Sequence, residues 1–224
     1  MKPRAANTQR RTRIQQENEE RILEAALEVF SANGFRGSTI DQIAEAAGMS
    51  KPNLLYYFHT KEAIHRILID RLLDTWLDPL RALSAEGNPV SEIRSYIRRK
   101  LEMARDFPRE SRLFANEILQ GAPRIEDALK GQLRELVDEK TEVIRQWIRQ
   151  GRLARCDPHH LIFSIWATTQ HYADFDAQIR AVMGEKRYDA ARFEDAARYL
   201  DQLFTNGLRP SFAPPGKGEG SAGQ

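Results

Sequence analysis

The sequence predicts an all-α protein, and three observations carry that expectation. Apolar residues recur at spacings of three and four along most of the 224 residues. Runs of strand length with apolar and polar residues alternating are missing. Glycine, proline and residues of N-cap type punctuate the chain at helix-length intervals. Within this class four segments separate: an arm over 1–13, a three-helix block over 14–60, a longer helical region over 61–208 and a tail over 209–224.

The arm carries Lys2, Arg4, Arg10, Arg11 and Arg13 and no acid, so it contributes +5 to a chain whose net charge is +2. The remainder holds 29 basic residues against 32 acidic ones. A block of one charge at a terminus reads as a disordered arm that finds an anionic polymer, or as a solubilising tail. The other end, Pro210–Gln224, has three prolines, four glycines and few apolar groups, and is expected to be disordered.

The block over 14–60 is well punctuated. Ile22, Ala26, Val29 and Phe30 fall on one helical face, and Asn33-Gly34 supplies a left-handed stop. Thr39 with Gln42 three residues later has the form of a capping box that starts a second helix. Gly48 sits in the following turn, where a side chain would resist a positive φ. Ser50 caps a third, short helix, and Pro52 in its first turn removes no needed hydrogen bond. Thr60 then starts a longer helix. Helix, glycine turn, helix over 39–57 is the order of a helix-turn-helix, whose second helix sends its first residues into the major groove.

Hydrophobic residues make up 41% and charged residues 29%, the composition of a globular chain with enough length to bury a core. A single cysteine, Cys156, excludes an internal disulfide framework and fits a reducing cytoplasm. No run approaches the roughly 18 apolar residues of a membrane span, and no secretory signal follows the basic N-terminus.

The run Thr39-Ile40-Asp41-Gln42-Ile43-Ala44-Glu45-Ala46-Ala47-Gly48-Met49-Ser50-Lys51, followed by Leu54-Leu55-Tyr56-Tyr57-Phe58-His59-Thr60-Lys61-Glu62-Ala63, resembles the TetR-family signature in residue type and spacing. That resemblance implies a TetR-like fold: an N-terminal helix-turn-helix domain over 14–60, and a C-terminal helical effector-binding and dimerisation domain over 61–208. It implies double-stranded DNA, a second copy of the chain and a small-molecule effector as partners. Ile40, Ile43, Ala44, Ala47, Leu54, Leu55 and Phe58 are then structural. Lys51 and Asn53 open the recognition helix, where lysine can pair with guanine and asparagine with adenine. Tyr56, Tyr57 and Lys61 suit phosphate oxygens, and Thr39 and Ser50 combine capping with phosphate contact.

The second half extends the resemblance. Trp76-Leu77-Asp78-Pro79-Leu80, Tyr96-Ile97-Arg98, Lys100-Leu101-Glu102, Glu117-Ile118-Leu119, Asp157-Pro158-His159-His160 and Gln170-His171-Tyr172-Ala173-Asp174 are similar to the RutR subgroup, regulators of pyrimidine utilisation. The similarity covers roughly residues 15 to 208 and implies uracil or thymine as effector. Asp157 as N-cap and Pro158 at N1 begin a helix on which Ile162, Ile165, Trp166 and Thr169 share a face. An indole face can stack on a flat pyrimidinedione, and a carboxamide offers it a donor and an acceptor. Trp166, Gln170 and Trp76 supply those chemistries, with Asn116, Glu117 and Tyr172 as further effector candidates. Asn116 departs from the subgroup's pattern. By spacing alone these residues read as core tryptophans and a surface glutamine, and it is the resemblance that makes them effector candidates.

His159, His160 and His171 lack the spacing of a zinc site, so no metal or other cofactor is expected. His171 beside Tyr172 and Asp174 reads as a structural hydrogen-bond cluster. No nucleophile motif, phosphate-cradling loop or informative carboxylate pair appears, and no enzyme is expected. The reading is therefore a ligand-responsive repressor that binds a pseudo-palindromic operator as a dimer. The dimer is expected to form through helices near 157–175 and 191–207. A regulator with a different small aromatic or amide effector is the nearer alternative, and a helical ligand carrier or enzyme the more distant one.

Overall fold

The computed structural model describes residues 13–184 and 191–210; the arm and the tail read above lie almost wholly outside the described residues. Every regular element among those residues is helical, in the order α1 (Arg13–Gly37), α2 (Ile40–Ala46), α3 (Lys51–Tyr57), α4 (Lys61–Arg81), α5 (Pro89–Asp106), α6 (Pro108–Leu119), α7 (Glu126–Ala128) continued by a π-turn, α8 (Arg134–Arg149), α9 (Pro158–Asp174), α10 (Asp176–Met183) and α11 (Ala191–Leu208). The all-α expectation holds. The step from α9 to α11 contains a helix, α10, that the sequence reading did not anticipate.

Contacts divide the chain into two units, one reaching to Leu77 and adding Asp106–Gly131, the other made of Asp78–Arg105 and the chain from Gln132 onward. The break read after residue 60 falls inside the first unit. The reason is packing: α6 lies along α1, and its Leu113 is 1% exposed within the same core as Ile22, Phe30, Ile43, Leu54 and Ile64. Burying such side chains stabilises by about 1.5–3 kcal/mol each, which is what holds the short helices α2 and α3 in place. Isolated helices of that length are unstable in water.

The first unit closes around the end of α1. Gly34 breaks the helix with φ 66° and ψ 173°, a conformation that side-chain-bearing residues avoid. The break turns Phe35 inward, where it is clasped from two sides. The Lys61 ammonium lies 4.2 Å from the ring centre on one approach and the Arg124 guanidinium 3.6 Å on another. Lys61 Nζ also donates to the carbonyls of Phe35 (2.7 Å) and Ser38 (2.6 Å), satisfying groups that the broken helix leaves open.

Arg124 is in turn held by Glu117 of α6, whose carboxylate accepts from the Arg124 backbone N–H and from Nη1, both at 2.9 Å. Glu117 is 1% exposed and so is His65 of α4, whose Nε2 stands 3.7 Å from Glu117 Oε2. The His65 ring meets Phe30 and Phe35 edge-on at 5.2 and 5.0 Å. Burial pulls the imidazole down to about 4, outweighing the attraction of Glu117. At neutral pH the pair is thus a neutral ring beside a carboxylate that Arg124 compensates.

The second unit is tied by polar contacts at the ends of its helices. Trp147 of α8, fully buried, donates its indole N–H to the Ala85 carbonyl at 3.0 Å. Arg98 of α5 forms a two-pronged pair with Glu194 of α11, and Arg94 pairs with Asp201 of the same helix at 2.7 Å. These pairs are exposed, so each adds little energy and chiefly sets the register of α5 on α11.

Two outcomes are expected. Because the His65 imidazole titrates near 4 when folded and near its ordinary 6.5 when unfolded, its contribution is complete above pH 6.5 and is lost as the pH falls toward 4. Urea denaturation will show about 3 kcal/mol of stability lost over that window, and His65→Phe will remove most of that part of the slope. Gly34→Ala will destabilise the first unit by about 1–3 kcal/mol through the positive φ, read as a lower Tm at unchanged helix content.

Candidate DNA-binding face and effector site

The helix-turn-helix is built by local capping. Thr39 and Gln42 form the reciprocal pair: the Gln42 N–H donates to Thr39 Oγ1 at 3.2 Å, and the Thr39 N–H donates to Gln42 Oε1 at 2.8 Å. Gly48 turns the chain at φ 64°. Ser50 Oγ then accepts from the Asn53 N–H at 3.4 Å, with Pro52 in the first turn of α3. Ile43 and Leu54 are fully buried beneath the pair. The consequence for chemistry lies on the other side: Thr39, Ser50, Lys51, Pro52, Asn53 and Tyr56 are all exposed.

Their present partners differ. Lys51 Nζ holds Asp41 at 2.9 Å across the turn, an exposed pair that a phosphate or base can replace at small cost. Tyr56 is 67% exposed. Tyr57 is half-buried, and its hydroxyl accepts from Asn18 Nδ2 at 2.8 Å, tying α3 to α1. Lys61 is turned toward the Phe35 and Ser38 carbonyls. Tyr57 and Lys61 therefore brace the reading head in this structure, whereas Lys51, Asn53 and Tyr56 face solvent.

The six effector candidates fall into both units. Trp76, Asn116 and Glu117 belong to the first. There Trp76 lines a cavity of about 360 Å³ with Leu23, Leu27, Leu68, Leu72 and Phe107. Asn116 donates weakly to the Ser31 carbonyl at 3.4 Å. Glu117 is the buried partner of Arg124 described above. Trp166, Gln170 and Tyr172 belong to α9 of the second unit.

On α9, Trp166 and Gln170 stand one turn apart on one face, both half-buried. Tyr172 lies about 200° round the helix from Gln170; there the Arg192 guanidinium lies 5.6 Å from its ring, and burial raises the phenol. His171 is exposed and stacks on Phe175 at 4.8 Å, so it does not form the hydrogen-bond cluster expected from sequence. Helical register explains the difference, since adjacent positions point about 100° apart.

Two residues of α5 that the sequence reading quoted within the resemblance but gave no role in the site meet this face. The Trp166 indole N–H donates to the Tyr96 hydroxyl at 2.6 Å, and Tyr96 is 3% exposed. One turn on, Lys100 is 2% exposed. Burial pulls its ammonium down to about 7, and the Asp174 charge partly offsets that. A signal for Lys100 was present in the sequence. It falls on the stripe of Ile93, Ile97, Leu101 and Ala104, where a bundle helix ordinarily carries an apolar residue.

Among the described residues no group of three or more His, Cys, Asp or Glu side chains is placed to hold a metal ion. No helix among them is long and apolar enough to cross a membrane.

Residues 22–66 match the model of the bacterial regulatory proteins of the tetR family, and residues 69–211 match that of the YcdC-like protein C-terminal region. The chain is 47% identical over 203 residues to the HTH-type transcriptional regulator RutR of Escherichia coli strain K12, covering 91% of this chain and 96% of that one. The RutR of Shigella flexneri gives the same figures. Among solved structures, AibR in complex with isovaleryl coenzyme A and operator DNA superposes with a TM-score of 0.64 at 20% identity, over 83% of this chain and 97% of that one. A TetR-like transcriptional regulator from a Rhodococcus species gives 0.59 at 22%, over 91% and 96%. These last two show the fold. With a helix-turn-helix exposed for DNA, relatives that are transcriptional regulators and both halves matched, the chain belongs to the TetR family of transcriptional regulators.

Proposed function

We propose that this regulator is a repressor that binds a pseudo-palindromic operator as a homodimer and releases it on binding a pyrimidine, uracil or thymine. The observation that carries the DNA half is the start of α3, where Ser50, Lys51, Pro52 and Asn53 are all exposed on a helix anchored by the buried Leu54. Lys51 and Asn53 read base edges, and Tyr56, Thr39 and Ser50 position the backbone. Such a protein acts where the chromosome is, in the cytoplasm.

The dimer is supported by large apolar side chains that one copy leaves in water. Phe163 of α9 is 47% exposed, and Tyr199 and Leu203 of α11 are 60% and 50% exposed. Pairing these helices with their copies covers them and sets two recognition helices about one DNA turn, roughly 34–36 Å, apart. The pyrimidine is supported by the resemblance to RutR and by the chemistry of α9, where Trp166 offers a face to stack on and Gln170 a donor and an acceptor. Release follows from differential affinity: a ligand that fits better when α4 is tilted favours a spacing the operator does not match.

Two measurements test these assignments. Lys51→Ala and Asn53→Ala will each weaken operator binding by about tenfold to a hundredfold while leaving the mass of the dimer in solution unchanged. Trp166→Ala will bind operator normally but need about tenfold or more pyrimidine for release, the loss expected of a stacking platform. A full response in the Trp166 variant places the effector elsewhere.

A further inference from the structure

We propose that Asp41 of α2 is a specificity-determining residue, and that its ion pair with Lys51 reads one G·C base pair as a unit. The inference rests on the reading of the exposed start of α3 as the DNA-binding face, and adds to it a residue of the preceding helix.

The pair spans the turn between the two helices. Asp41 lies in the first turn of α2, and Lys51 is the first residue of α3. The Lys51 ammonium donates to Asp41 Oδ2 at 2.9 Å. Both side chains are exposed, as are the neighbouring Ser50, Pro52 and Asn53. A carboxylate suits a helix N-terminus, whereas an ammonium there meets the positive end of the helix dipole. An exposed ion pair adds little to the fold. Stability therefore does not account for a lysine at this position.

The chemistry of the pair does. An ammonium carries three donors and a carboxylate about four acceptor sites, so the two hold each other and still present a donor and an acceptor outward. These stand 2.9 Å apart. In the major groove a G·C pair shows the guanine O6 acceptor next to the cytosine N4–H donor. Those two groups are hydrogen-bonded to each other, so their separation is also about 2.9–3.0 Å. Lys51 donates to O6, with N7 as a second acceptor, and Asp41 accepts the N4–H that faces the groove. A C·G pair reverses the order and sets donor against donor. A T·A pair keeps the order but lacks the second acceptor and adds a methyl group. A lone ammonium would bind any phosphate. Paired with Asp41 it gives up most of that attraction, so the unit contributes base preference more than affinity.

The test begins with duplexes selected from a randomised library by the full-length protein, which define its operator. The position that Lys51→Ala ceases to discriminate locates the pair, and it is expected to be G·C. Fluorescence anisotropy then measures the selected site, a copy with that pair inverted to C·G, and a copy carrying N4-methylcytosine there, whose methyl replaces the N–H that faces the groove. The unaltered protein will lose about tenfold or more on either change. Asp41→Ala, checked for folding by circular dichroism and for its mass in solution, will lose about threefold or less, because a flexible lysine alone reaches an acceptor on either strand. Its binding to unrelated DNA will also depend more steeply on salt, by a slope of about one. Equal losses in the unaltered protein and Asp41→Ala, or a Lys51-dependent position that is not G·C, overturns the role of Asp41 and leaves the DNA-binding reading standing. A scan of N4-methylcytosine through the operator with the unaltered protein needs no variant, and tolerance at every cytosine overturns the inference likewise. Selection of no sequence by the unaltered protein overturns the DNA-binding reading and this inference together.

Discussion

The clasp on Phe35 is the constraint on which the DNA-binding unit depends. A helix that must stop at Gly34 leaves open carbonyls and swings an aromatic ring into the core. Lys61, the first residue of α4, answers both needs by donating to two of the carbonyls and lying against the ring. Arg124 covers the ring from another approach and is held by the buried Glu117. In this way α1, α4 and the end of α6 converge on one side chain, with His65 wedged among them. The reading head of α2 and α3 is carried by α1 and α4, so the geometry offered to DNA is set where those two helices are locked.

This arrangement gives α4 a defined anchor. It is continuous from Lys61 to Arg81, with Pro79 accommodated near its end. A displacement of that helix must be absorbed at the clasp or passed to the recognition helix, because packed cores switch between arrangements and do not deform smoothly. A neutral His65 suits the joint: it fills space and makes edge-on ring contacts without adding a second buried charge beside Glu117. In the second unit the counterpart is the hydrogen bond from the Trp166 indole N–H to the buried Tyr96 hydroxyl, which joins α9 to α5.

How much of this was legible in the sequence follows from the range of each interaction. Thr39 with Gln42, Ser50 with Asn53 and the stop at Gly34 are contacts within a few residues. Their spacing therefore announces them, and the structure has them in place. Glu117 is different. As a carboxylate near an apolar stripe it reads as an effector anchor, whereas its partners Arg124 and His65 come from the following turn and from a distant helix. Lys61 shows the same limit, since a lysine at a helix start suggests phosphate until the carbonyls it meets are known. On α9, Trp166 and Gln170 were legible because i, i+4 fixes their shared face, while the hydroxyl that meets Trp166 comes from Tyr96, far back in the chain. The division into units was illegible for a similar reason. Only the packing of α6 along α1 draws residues 106–131 into the first unit.

The most direct measurement is fluorescence anisotropy of DNA from upstream of the protein's own gene and its neighbours, titrated with the full chain at fixed salt, with and without uracil. The account predicts tight, sequence-selective binding by the dimer that is lost when the pyrimidine is added. Binding of equal strength to every sequence, or selective binding that no pyrimidine disturbs, would contradict it.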